Sequence, residues 1–132
     1  ILFLFLFLMT LDDCNILNFV NEKFSINLES TSYYYRLDGI DKNNKVICEI
    51  KTRSCNKDKY EDTMVGQDKI EFAKENYADY KFLLIFQFDD GIYYYEYSDK
   101  DNHRQSLGGR SDRGRPEFKQ YCFISKDLLK II

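Results

Sequence analysis

The chain of 132 residues contains no tryptophan, one proline and one histidine, His103. Its four cysteines, Cys14, Cys48, Cys55 and Cys122, form no C-x-x-C pair. Together these absences argue against a zinc site of the Cys/His kind. There is no basic excess either: 19 Lys and Arg stand against 22 Asp and Glu, a net charge of −3. A coat that binds nucleic acid without specificity needs many cations to neutralise phosphates; an enzyme needs only a local basic path. The one long apolar run, residues 1–8, is too short to cross a bilayer as a helix. It also lacks the basic leader and small-residue cleavage site of a secretory signal. The expectation is an intracellular protein, cytoplasmic or nuclear, with free thiols in a reducing compartment and no membrane partner. Residues 1–8 read as upstream read-through before a start at Met9, or as the end of a missing upstream part. Residues 9–132 read as one domain.

What the chain has in quantity is eleven Tyr and eleven Phe, which favour pleated, half-buried surfaces. Residues 10–24 read as a helix capped by Thr10, with Leu17, Val20 and Phe24 on one face. Residues 31–38, with Tyr33, Tyr34 and Tyr35, read as a strand whose tyrosines pack a sheet. After a polar turn, residues 45–53 read as its hairpin partner. Residues 54–62 read as a loop and 63–77 as a second helix with Gly66, Ile70, Ala73 and Tyr77 as its stripe. Residues 81–88 (KFLLIFQF) are almost continuously apolar, the mark of a central strand covered on both faces. Asp90-Gly91 turns the chain into a returning strand over 92–97. Residues 99–120 read as a long loop, 121–125 as a last strand and 126–132 as a terminal helix. The class is α/β, with a mixed central sheet flanked by helices.

Side chains alternate across a strand, so Glu49 and Lys51 share a face with Ile47, while Val46, Cys48 and Ile50 face the other way. The hairpin can deliver Asp38 to Glu49. Burying two carboxylates and a lysine together is costly unless they pair or bind a metal. Phosphodiester cleavage supplies a reason: carboxylates hold a hard divalent cation, and a lysine positions water or offsets developing charge.

The pattern Asp38-x10-Glu49-x-Lys51 resembles that of the PD-(D/E)XK nuclease superfamily. The resemblance covers about residues 10–88 and implies a restriction-endonuclease-like α-β-β-β-α-β core, with one strand not placed by the pattern. It implies that Asp38 and Glu49 bind metal with the backbone carbonyl of Ile50, and that Lys51 is the catalytic lysine. Gln67 is similar to the polar helix residue that some branches use near the site. The implied cofactor is Mg2+, with Mn2+ able to substitute. Leu37 stands where the family name has proline. For the acid that the family often carries on its first helix, Glu22 is a weak candidate and Glu29 lies beyond the helix.

Arg104, Arg110, Arg113 and Arg115 in the glycine-rich segment suit phosphate contacts, and Arg53, Lys57 and Lys59 extend the same path. Blander readings stand beside these: Asp38 as a turn residue before Gly39, Glu49 and Lys51 as an exposed ion pair, Gln67 as a surface residue. The expected function is a Mg-dependent nuclease hydrolysing DNA, with RNA, endo- or exonuclease action and homodimerisation open. The alternatives are a catalytically silent nucleic-acid-binding module and a small α/β interaction domain.

Overall fold

A computed structural model describes residues 10–110 and 117–132. Helix α1 (Asp13–Phe24) begins where Asp12 Oδ1 accepts the Asn15 N–H at 2.8 Å, and it ends at Ser25 in the left-handed region (φ 54°). The cap is thus Asp12 rather than Thr10. Ile16, Leu17 and Val20 form its buried stripe.

Strands β1 (Glu29–Ser30), β2 (Gly39–Asp41) and β3 (Val46–Thr52) are antiparallel neighbours. Asp41 fixes the β2–β3 turn. It accepts the Asn44 backbone N–H and side-chain amide and the Asn27 N–H, and these bonds hold its carboxyl below the usual range. After a loop come β4 (Asp62–Gly66), α2 (Gln67–Asn76) and β5 (Lys81–Phe88). Strand β5 lies parallel to β3, from Val46↔Lys81 to Thr52↔Gln87. Strand β6 (Gly91–Glu96) returns antiparallel to β5, and β9 (Lys130–Ile131) adds to its edge. The main sheet therefore runs β1-β2-β3-β5-β6-β9. A second sheet runs β4-β8-β7, built from β4, β7 (Arg104–Arg110) and β8 (Glu117–Ser125).

The main sheet is covered on both faces. Helix α1 packs Ile16, Leu17 and Val20 on Val46, Cys48, Ile50, Leu83 and Ile85. The other core joins Ile47, Leu84 and Phe86 to Ile70 and Ala73 of α2 and to Val65, Cys122 and Ile124 of the second sheet. This double burial is why β5 carries apolar side chains in both directions. The alternation expected for β3 is borne out, and the mixed α/β class with it. Counting main-sheet strands alone, β1, β2 and β3 before α2 and β5 after it give the α-β-β-β-α-β order, with β4 of the second sheet inserted before α2.

Four local expectations are overturned. Residues 33–38 form turns and bends, so Tyr33–Tyr35 lie outside the sheet. Residues 63–66 belong to β4, because β8 offers Thr63–Gly66 an edge to pair with. The expected long loop contains β7 and the first four residues of β8, and the two strands pair from Arg104↔Phe123 to Arg110↔Glu117. The C-terminal segment is a 3-10 turn, Lys126–Leu128, followed by β9. All four cysteines are free thiols. Among the described residues, no helix is long and apolar enough to cross a membrane.

Candidate active site

The site lies where β2 stops covering β3. Asp38 sits just before β2; its N–H donates to the Cys48 carbonyl at 3.0 Å, and its Oδ2 accepts the Ile50 N–H at 2.7 Å. The Asp38 carboxylate thus takes the place of a strand neighbour for Ile50. Along a strand, the N–H and C=O of one residue point to the same side, so the Ile50 carbonyl also faces the Asp38 edge.

Glu49 is only 4% exposed and belongs to the face packed by α2. Its carboxyl lies within hydrogen-bonding reach of Asp38. Burial, then the hydrogen bond and negative charge of Asp38, raise its pKa, while Lys69 and Lys51 pull it back. Glu49 Oε2 is buried and makes no hydrogen bond. The Lys69 ammonium of α2 stands 3.7 Å from it, an ion-pair distance, and also donates to the Arg36 carbonyl. Lys51 is half-buried, and its charge acts on both Glu49 and Asp13.

Asp13 enters from the other face, in the first turn of α1. Partial burial, then the charges of Asp38 and Asp12, raise its pKa, and Lys51 lowers it. It is exposed, and it is the acid of α1 whose charge is coupled to Asp38 and Lys51. Glu22 is exposed on α1, and Glu29 is exposed in β1. Asp13 was not among the candidates offered by the sequence, where only Thr10 was read as the helix cap. The available signal was its place one turn before the buried Ile16/Leu17/Val20 stripe.

Gln67 opens α2 and is buried. Its amide donates to Glu71 Oε1 at 2.7 Å, while its own Oε1 has no partner. Gln67 Oε1 and Glu49 Oε2 are the two unpartnered buried side-chain atoms among the described residues. Two adjacent carboxyl groups, one with an unsatisfied buried oxygen, fit a hard cation that takes oxygen ligands. Among the described residues no group of three or more His, Cys, Asp and Glu side chains could hold a metal. A cation here would therefore draw on two carboxylates and backbone oxygen.

The expected basic path is only partly exposed. Arg53 donates to Thr63 Oγ1 at 3.2 Å and to the Met64 carbonyl at 2.7 Å, so it ties β3 to β4. Beside it, Lys57, Lys59 and Lys126 line a cavity of about 480 Å³ with Tyr60, Phe88 and Phe123. Lys57 pairs with Asp58 at 2.8 Å, and Lys59 lies over the Tyr60 ring. Arg104 pairs with Asp62 at 3.2 Å and stacks 3.8 Å above the Phe123 ring. Arg110 ends β7, whereas Arg113 and Arg115 lie outside the described residues.

Residues 11–127 match the model of a family described as phage putative PDDEXK endonuclease. Comparison with curated proteins returned no match.

Proposed function

The chain belongs to the phage putative PDDEXK endonuclease family, a nuclease family, and from that premise we propose that it hydrolyses DNA phosphodiester bonds with Mg2+, centred on Asp38, Glu49 and Lys51. The observation that carries the reading is the buried Glu49 oxygen beside the Asp38 carboxylate, which makes no hydrogen bond and has only the Lys69 ammonium at 3.7 Å. Leaving such a group unsatisfied costs stability, and a divalent cation bound by oxygen would satisfy it.

Asp38, Glu49 and the Ile50 carbonyl would hold the cation. When bound, it would supply positive charge to the phosphoryl group and favour loss of a proton from water. Lys51, two residues from Glu49 on the same strand face, places an ammonium where negative charge grows on the phosphate oxygens. Lys69 favours the ionised form of Glu49, which is the form that binds metal. Asp13 adds a carboxyl on the α1 side, suited to accepting a proton or a hydrogen bond from water near Asp38. Gln67 offers its unpartnered carbonyl oxygen as an acceptor from the second helix.

The test is cleavage of single-stranded and duplex DNA in Mg2+, Mn2+ or EDTA by the wild type and by Lys51→Ala. Divalent-dependent cleavage should vanish in the variant while DNA binding in Ca2+ persists. Cleavage by Lys51→Ala at the wild-type rate would sink the assignment.

A further inference from the structure

Tyr33 and Tyr34 are 93% and 91% exposed, yet the loop that carries them is firmly anchored. The Thr31 N–H donates to the Asp38 carbonyl at 3.2 Å, and the Thr31 hydroxyl donates to the Leu37 carbonyl, closing the neck. Leu37 is buried in the core, and the Tyr35 N–H donates to Ser32 O at 3.0 Å to turn the tip. Tyr35 leans on α2, edge-on to Phe72 at 5.7 Å, with its hydroxyl against that of Tyr77. Tyr33 and Tyr34 are left outside, edge to face at 5.2 Å. Among the described residues, neither ring has another aromatic contact.

Two fully exposed aromatic rings on a pinned loop bury nothing in this chain, although burial of such rings usually dominates local packing energy. The loop is continuous with the catalytic candidates. It ends in Asp38, and its Arg36 carbonyl accepts from Lys69, the lysine beside Glu49. Arg36 is exposed and half-stacked on Phe72, its guanidinium 5.4 Å from the ring centre. Aromatic faces with a cation alongside, next to a phosphodiester site, suit a nucleobase and its phosphate.

We infer that Tyr33 and Tyr34 form a stacking platform for unpaired nucleotides at the Asp38/Glu49 site, which makes single-stranded or locally unpaired nucleic acid the favoured substrate. The inference rests on the nuclease reading for its substrate class. Bases in a duplex are already stacked on one another and offer no free face, so the platform discriminates against fully paired substrate. Each stacked base is worth roughly 5- to 150-fold in affinity.

The experiment is fluorescence polarisation in Ca2+, with a labelled short oligothymidylate and a labelled blunt duplex as probes. The proteins compared are the wild type, Tyr33→Ala/Tyr34→Ala and Tyr33→Phe/Tyr34→Phe. The alanine pair should lose at least roughly tenfold in Kd for the oligothymidylate, with the duplex little affected and the phenylalanine pair close to wild type. Three results would overturn the platform: no binding of the oligothymidylate by wild type, unchanged binding by the alanine pair, or equal loss on both probes. Cleavage of the same probes in Mg2+ is scored separately. Tyrosine-dependent binding without any cleavage would sink the nuclease reading and leave the platform standing. Cleavage with tyrosine-independent binding would do the reverse.

Discussion

Replacing Glu49 with glutamine should strengthen the metal-free fold while destroying activity. Burial and Asp38 raise the Glu49 pKa from 4.5 in its ordinary state to about 8 in the folded chain. A carboxyl whose folded pKa is raised contributes stability that is complete below the unfolded value and is lost as pH rises through the folded one. Between about 4.5 and about 8, the metal-free protein should therefore lose stability as pH rises, on the order of 3 kcal/mol by neutral pH. The glutamine has no charge to lose, and its amide can donate to Asp38. In EDTA at neutral pH, Glu49→Gln should melt on the order of 10 °C above wild type, and the gap should close below about pH 5. Mg2+ at a hundred times its Kd should stabilise wild type by about 2.7 kcal/mol and the variant far less. Urea and thermal unfolding across pH, with and without Mg2+, read both effects. A variant less stable than wild type at neutral pH, or one stabilised equally by Mg2+, would refute the reasoning.

Three further outcomes follow from the geometry. Lys69→Met removes the cation 3.7 Å from Glu49, so Mn2+ binding measured by calorimetry should weaken at neutral pH and its pH dependence should move upward. Arg53→Ala severs the ties to Thr63 and the Met64 carbonyl and should cost about 1.5–3 kcal/mol in urea unfolding. Unchanged stability with weakened DNA binding would instead return Arg53 to the substrate path. Gly39→Ala would place a Cβ 2.8 Å from Cys48 Sγ and 3.1 Å from Leu17 Cδ2, in the core beneath α1. It should destabilise by about 1–3 kcal/mol, and a neutral result would show that α1 can shift there.

Glu49 and Lys51 were legible because β3 is regular: alternation alone placed them on one face, and a continuous apolar run revealed β5 beside it. The tyrosine run misled for a physical reason. Strand propensity mostly measures fit to a half-buried pleated surface, and residues 32–38 have no neighbouring strand to provide one. Strands β7 and β8 were hidden by Gly108, Gly109 and many charged residues, which blur alternation although backbone pairing tolerates them. Arg53 and Arg104 read as phosphate ligands by charge, and the folded chain uses both to join strands or cover an aromatic ring. Which cations face outward depends on tertiary neighbours that no local spacing encodes.

The β2–β3 hairpin also bears on the order of events in folding. Asp38 and Glu49 come together through a short, local chain closure, whereas the β3–β5 pairing closes a longer loop that contains β4 and α2. Should the hairpin close first, two like charges meet inside it before most of the core has formed around them. If that hairpin is structured in the transition state, mild acid or a divalent cation will accelerate refolding more than it slows unfolding. The pair of carboxylates proposed as the site would then also act as a brake on the chain's own assembly, released by the ion it is proposed to hold.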